Sequence, residues 1–180
     1  TFLLQRLSTP REVGLYTSAW QLASIFPVVT GALTTAITPH VSTFRTSEEM
    51  KHYLKRVGAV VWVALVGFLI LFLLSNLVIQ ELLGKQYLAA RGIFNMLLLG
   101  FMISLIMAPI SVVFFAMDKP NVLTWLNIFQ LPLIVGLDLI LIPKFGGLGA
   151  AWSALIIRLI SILYINILLR KLLGRKDRYV

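Results

Sequence analysis

Apolar residues run through this sequence in long, uninterrupted stretches. No Asp, Glu, Lys or Arg occurs in residues 13–44, 57–80 or 92–117. Each stretch exceeds the roughly 20 residues with which a helix crosses the hydrocarbon core of a bilayer. With two further apolar stretches towards the C-terminus, the pattern predicts an all-α membrane protein with five full transmembrane helices plus the end of a sixth. The predicted spans are 13–40, 57–79, 92–117, 120–142 and 146–169, and residues 1–5 close the earlier one.

Composition indicates the same class of protein. Hydrophobic residues make up 59% of the chain, charged residues 13%, and the mean hydropathy is +0.92. A soluble domain typically has about 25% charged residues. The connections between spans are short, so we expect residues 1–180 to form a single transmembrane unit. Because the chain begins inside an apolar stretch, TFLL, we expect it to be a fragment of a longer protein.

The distribution of Lys and Arg predicts the orientation of the chain. If successive connections alternate sides, one side carries ten cations and the other carries five. The positive-inside rule places the richer side, which includes the C-terminus, in the cytoplasm, and we expect the inner cell membrane as the location. The net charge of +9 then indicates contact with anionic membrane lipids rather than with nucleic acid. The ten cations are Arg45, Lys51, Lys55, Arg56, Lys119, Arg170, Lys171, Arg175, Lys176 and Arg178, and the five are Arg6, Arg11, Lys85, Arg91 and Lys144.

The residue patterns that catalysis or metal binding would need are absent from the sequence. There is no cysteine, which excludes disulfides, a thiolate metal site and a cysteine nucleophile. His40 and His52 lie far apart near the cytoplasmic end of the first span and are interpreted as interfacial residues. No H-x-x-x-H or G-x-S-x-G motif and no acidic pair deep in a span is found. We therefore expect no enzyme activity, no metal and no cofactor.

Polar and small residues share one face of the first predicted span. They recur at steps of three, four or seven residues, which is the spacing of neighbours on a helix. Such a face either lets membrane helices pack closely or forms the wall of a water-lined cavity, and both interpretations stay open. Pro27 is expected to kink this span. The face consists of Thr17, Gln21, Ser24, Gly31, Thr35 and Thr38.

The fourth predicted span carries a second polar face, with Pro132 as an expected break. Amide side chains in hydrocarbon need partners, so we expect this face to point inward. Asp138 lies near the outer end of the span, where it is either simply hydrated or takes part in coupling to an ion or proton. The face consists of Thr124, Asn127, Gln130 and Asp138.

Arg158 is a cation deep inside the fifth predicted span. It follows Phe145 by 13 residues and precedes Arg170 by 12, which places it about 18–20 Å from either end. Snorkelling does not reach that far, and a mid-bilayer Arg costs at least ~2.5–3.5 kcal/mol. We therefore expect a cavity that binds an anion, or else structural hydrogen bonds to backbone carbonyls or to a missing part of the protein. Arg158 shares its helix face with small residues: Gly147, Ala151, Ala154 and Ser161.

The glycines before this span do not form a phosphate-binding loop. The segment GGLGAAW lacks the third glycine of G-x-G-x-x-G, follows no predicted strand, and has no Walker Lys-Ser/Thr. Gly146 and Gly147 instead predict a tight outer turn after Pro143. Gly149 is expected to let the fourth and fifth spans pack closely.

Three segments resemble polysaccharide (lipid-linked oligosaccharide) flippases, which belong to the multidrug/oligosaccharidyl-lipid/polysaccharide exporter superfamily. They are spread over residues 12–156 and include Gly14-x-Tyr16, Pro39, Gly84 and the turn Leu-Ile-Pro-x-Phe-Gly. The resemblance implies most of the C-terminal lobe of a two-lobe transporter with 12 or 14 helices around a central cavity. The family often has Asn near Asp138, so the acid departs from the pattern. The segments are EVGLYTSAWQLASIFPVVTGALTTAITPHVS, LLGKQYLAARGIFNMLLLGF and DKPNVLTWLNIFQLPLIVGLDLILIPKFGGLGAAWSALI.

The resemblance implies a flippase that moves an undecaprenyl-diphosphate-linked oligosaccharide across the membrane by alternating access, together with the missing N-terminal lobe. Arg158 is then the expected diphosphate ligand, and Gln21, Thr35, Asn127 and Gln130 are expected to line the path. Two alternatives remain. A cation-coupled multidrug exporter of the same superfamily would depend on Asp138, and a non-transporting membrane assembly protein would not need Arg158.

Overall fold

The computed structural model is almost entirely helical over the residues it describes, which are 2–28, 30–32, 35, 47–116 and 121–175. The predictions for Thr38, Pro39, His40 and Lys119, and for the C-terminal residues 176–180, lie outside this part. The helices are α1 (Phe2–Leu7), α2 (Pro10–Ala23), α3 (Ser47–Leu73), α4 (Ser75–Leu82) and α5 (Arg91–Ala116), with a 3-10 helix at Lys85–Ala90. A final helical stretch covers Asn121–Arg175.

The final stretch consists of two antiparallel helices. Gly146 has φ 56° and ψ −133°, which is not helical, so the stretch divides into α6 (121–145) and α7 (147–175). The side-chain nitrogen of Gln130 donates to Ser161 Oγ at 2.7 Å, a contact that only a hairpin allows. Gly149 lies so close to the carbonyl of Leu141 that no side chain would fit. The predicted turn and the predicted close packing at Gly149 are both confirmed.

Helices α2, α5 and α7 run in the same direction. Their first turns meet at one end, where the Glu12 carboxylate and the Ile93 side chain both contact Gly147. Further along, Gly100 of α5 faces Arg158 of α7. Helix α5 lies at the centre, because it packs against α2, α3, α4 and the α6–α7 hairpin. Its buried side chains form nearly half of the apolar core cluster: Ile93, Phe94, Leu97, Leu98, Phe101 and Leu105.

Two helical stretches in the described residues are long and apolar enough to cross a membrane, namely Lys85–Ser111 and Thr124–Leu168. The first agrees with the third predicted span, and the second contains the turn at Gly146. A third crossing results if Val57–Leu73 and Ser75–Leu82, which meet at 70°, form one broken span. The structure thus supports an apolar helical protein with two or three candidate spans, fewer than the five predicted from the hydrophobic runs.

The second predicted span, 57–79, was expected to be continuous but is bent at Leu74. No Pro or Gly lies at the bend. Ser75, which is fully buried, accepts a hydrogen bond from Arg91 Nε at 3.2 Å. This bond ties the start of α4 to the start of α5 across 16 residues, so a tertiary contact accompanies the bend.

Pro27, which follows α2, and Pro132, which lies inside α6, have different effects on their helices. Helix α2 ends at Ala23, four residues before Pro27. A proline has no N–H to donate to the carbonyl four residues earlier, and its ring crowds that carbonyl, which here belongs to Ala23. Helical residues resume at 25–28, so the helix is interrupted at Ser24, just before Pro27, and the kink itself stays a prediction. Pro132 does not break its helix, contrary to expectation, because α6 keeps helical geometry throughout. A proline φ near −65° fits a helix, and only one backbone hydrogen bond is lost.

Candidate anion-binding cavity

Arg158 is held by contacts from its own helix and from α5. Its Nε donates to Ser104 Oγ at 3.0 Å, and its Nη1 donates to the carbonyl of Ala154 at 3.2 Å. The Ser104 hydroxyl in turn donates to the carbonyl of Gly100 at 3.1 Å. Ser104 therefore uses its proton on the backbone and presents a lone pair to the guanidinium. The expected hydrogen bond from Arg158 to a backbone carbonyl is present.

The α5 surface under Arg158 is shaped to receive a flat cation. The guanidinium carbon lies 4.9 Å from the centre of the Phe101 ring, which is a cation–π distance. A Cβ on Gly100 would come within 3.1 Å of Arg158 Nη1, so the absence of a side chain there makes room for the guanidinium. A guanidinium has five N–H donors, and the two hydrogen bonds to Ser104 and Ala154 leave other N–H groups available to a ligand.

Two cavities meet at Arg158. The first, here called the amide cavity, has a volume of about 650 Å³ and is lined by Asn127 and Gln130 of α6 together with residues of α2, α5 and α7. The second, called the threonine cavity, has a volume of about 590 Å³ and lies along the second half of the first predicted span. The side chains shared by both cavities are Trp20, Ser104 and Arg158. Arg158 is thus part of the boundary between two open spaces.

The predicted site residues fall into three groups. Asn127 and Gln130 line the amide cavity with Arg158. Thr35 lines the threonine cavity with Gly31, and its hydroxyl donates to the Gly31 carbonyl at 3.0 Å. Gln21 lines neither cavity. It is exposed and lies on the side of α2 opposite Leu15 and the other buried core residues of that helix. The second half of the predicted polar face therefore borders a cavity, whereas Gln21 does not.

Asp138 lies in the hairpin, away from Arg158. It faces Ser153 of α7, whose hydroxyl donates to the Gly149 carbonyl at 3.1 Å. Ser153 precedes Arg158 by five residues, or about 7–8 Å along the helix axis. Asp138 Oδ1 is buried and has no hydrogen-bond partner within the described ranges. A buried acceptor without a donor is costly, so this oxygen is suited to a proton or a cation.

The Gly146–Gly147 turn binds the carboxylate of Glu12, a side chain of the same chain. Glu12 Oε2 accepts a hydrogen bond from the Gly147 backbone nitrogen at 3.0 Å. A Cβ on Gly146 would come within 2.8 Å of the same oxygen, so the carboxylate needs a glycine there. The carboxylate lies at the start of α7, where the helix dipole favours negative charge. The turn is therefore neither an empty phosphate site nor a simple hairpin.

Sequence reasoning missed most partners of Arg158. Ser104 and Phe101 lie in a long apolar run in which neither residue stands out. Gly100 and Ser104 do form a small-x-x-x-small pair, which is typical of closely packed helices. Tyr16 and Trp20 line the amide cavity. Each comes one residue before a member of the predicted polar face, Thr17 and Gln21 respectively. Glu12 gave no signal, since an acid before a span is ordinarily solvated.

Comparisons with known protein families, with characterised proteins and with solved structures find no match.

Proposed function

We propose that this chain is one lobe of a flippase that moves an undecaprenyl-diphosphate-linked oligosaccharide from the cytoplasmic to the outer leaflet by alternating access. The other lobe and the membrane lipids are its partners, and five crossings with a cytoplasmic C-terminus are part of the proposal. Arg158 binds the diphosphate, and Asn127, Gln130 and Thr35 line the path on either side.

The observation that carries the proposal is the position of Arg158 between two cavities without a counter-charge. In the part of the chain that the structure describes, no carboxylate forms an ion pair with the guanidinium. A cation in apolar surroundings is costly unless an anion or a set of hydrogen bonds compensates it. Two hydrogen bonds and one aromatic ring compensate it only in part, and a planar guanidinium suits phosphate oxygens.

An apolar groove beside the amide cavity supports a ligand with a lipid chain. The groove has a volume of about 430 Å³ and is lined by Ile128 and Leu131, among others. It shares Asn127, Gln130 and Ile134 with the amide cavity, so the two lie side by side along α6. An amphipathic molecule fits this arrangement, with its anionic group at Arg158 and its apolar chain along α6.

The test is an assay of flipping or of surface glycan with Arg158→Ala and Arg158→Lys in the full-length protein. We expect Arg158→Ala to abolish activity, because the diphosphate loses its cation. Arg158→Lys keeps the charge but not the bidentate fork, so partial activity is expected. Lys144→Ala is the matched control, since Lys144 is an exposed cation near the hairpin turn. Full activity of Arg158→Ala at normal expression would remove Arg158 from the mechanism.

A cation-coupled exporter of small molecules is the second candidate, and the buried oxygen of Asp138 favours it. Drug-resistance assays with Asp138→Asn separate the two functions, because only the exporter would lose activity through this change. A non-transporting assembly protein would tolerate Arg158→Leu without loss of function.

A further inference from the structure

A pair of aromatic rings lies beside Arg158 in the amide cavity. Tyr16 and Trp20 are one helical turn apart on α2, and their rings stack with an interplanar angle of 14° and centroids 6.4 Å apart. Both line the amide cavity. Trp20 also touches Phe101, the ring under Arg158, at 5.8 Å between centroids. The indole is thus anchored on two sides.

Trp20 is nevertheless not a core residue. It keeps 38% of its surface exposed, while Ala19 and Ala23 of the same helix are fully buried. Trp20 lies with Ser104 and Arg158 at the boundary of the two cavities, so its exposed part borders the space next to the guanidinium.

The amide cavity combines two kinds of surface that a sugar needs. A pyranose ring has C–H groups on its faces and hydroxyls around its edge. Aromatic rings bind the faces, and side-chain amides bind the hydroxyls because they both donate and accept. Asn127 and Gln130 supply the amides of this cavity. Gln130 uses its nitrogen on Ser161, which leaves its carbonyl oxygen as an acceptor.

We propose that Trp20, supported by Tyr16, is the platform for the sugar ring attached to the diphosphate that Arg158 binds. This inference rests on the proposed function and adds a residue that determines specificity. Trp20 distinguishes a glycosylated diphosphate from a bare one, whereas Arg158 binds both.

The experiment measures binding of short-chain prenyl diphosphates to the full-length protein in lipid nanodiscs. One probe is citronellyl diphosphate, and the others carry glucose, galactose or N-acetylglucosamine on the diphosphate. We expect at least one sugar-bearing probe to bind the natural protein about tenfold more tightly than the bare probe. Trp20→Ala should remove that difference and leave binding of the bare probe unchanged. Trp20→Phe, which retains a ring, should restore part of it.

The matched control is Trp152→Ala, which removes a tryptophan that is 40% exposed on α7 and lines neither cavity. It should bind every probe as the natural protein does. Equal weakening of bare and sugar-bearing probes by Trp20→Ala would overturn the platform, because Trp20 would then only support Phe101 and Arg158. So would the lack of any difference between the probes in the natural protein. Failure of the bare probe to bind, or its indifference to Arg158→Ala, would instead overturn the proposed function.

Discussion

At the scale of single residues, Ser104 determines where the Arg158 guanidinium lies. Its hydroxyl is fixed by the Gly100 carbonyl one turn earlier, so its lone pair has a defined direction. The small residues that share the helix face of Arg158 were predictable from spacing alone. Its partner Ser104 was not, because it lies 54 residues away and only the tertiary packing of α5 against α7 joins them.

Ser104→Ala should weaken binding of citronellyl diphosphate about tenfold. The change removes a hydrogen bond to a charged group, which is typically worth about 1.5–3 kcal/mol, and frees the guanidinium to rotate. Isothermal titration of the protein in nanodiscs measures the affinity.

Ser111→Ala provides the control for Ser104→Ala. Ser111 lines the same cavity and donates to the carbonyl four residues earlier, that of Met107, as Ser104 does to Gly100. It makes no hydrogen bond to Arg158 in the structure. Equal losses in the two variants would show that any hydroxyl on this wall matters and that Ser104 does not position Arg158.

At the scale of helices, Glu12 joins the beginnings of α2 and α7. Helix α2 starts with Thr9 as N-cap, whose hydroxyl accepts from the Glu12 backbone nitrogen at 3.4 Å, and with Pro10 in its first turn. The Glu12 side chain is thereby free to bind Gly147 at the start of α7. The Glu12 contact thus fixes the position of α2 relative to α7 along their common axis, and these are the helices that carry Trp20 and Arg158.

Glu12→Gln should lower the apparent Tm of the purified protein by roughly 2–4 °C. The amide keeps the shape but removes the negative charge at the helix N-terminus, which costs about 1 kcal/mol in a partly buried position. Tryptophan fluorescence during heating records the transition. Glu81→Gln, at an exposed acid of α4, should leave the Tm unchanged. A similar shift in both variants would indicate a general effect of net charge.

The helices themselves were largely predictable, because long apolar runs have few stable states other than a helix in a membrane. The turn at Gly146 was also predictable, since glycine tolerates a positive φ that other residues avoid. The bend at Leu74 was not, because no Pro or Gly marks it in the sequence and the Arg91–Ser75 bond beside it joins two helices. Pro132 misled the prediction, since a proline lowers the probability of a helix without forbidding it.

At the scale of the whole molecule, α6 forms an outer wall with a wide apolar surface. In the most apolar window of Thr124–Leu168, only 6% of the residues are buried within the protein. An exposed apolar surface of this extent marks contact with lipid or with another protein surface. The apolar groove beside the amide cavity interrupts this surface at Leu131 and Ile134.

Leu131→Trp should reduce surface glycan severalfold in cells that depend on the protein. The larger side chain fills the groove in which the proposed lipid chain lies, while the Arg158 cavity keeps its shape. Leu133→Trp adds the same ring two residues along α6, outside the groove, and should have no effect. Quantitative glycan staining at matched protein levels gives the comparison. Normal staining with Leu131→Trp would place the chain elsewhere without affecting the role of Arg158.

The one-residue turn at Gly146 has a consequence for biogenesis. Because α6 and α7 are joined by so short a turn and are bonded through Gln130 and Ser161, we expect the two helices to leave a translocation channel together. We expect the pair to partition into lipid as a single hairpin. Arg158 would then enter the bilayer with polar neighbours already beside it, and the insertion machinery would not meet its charge on an isolated apolar helix.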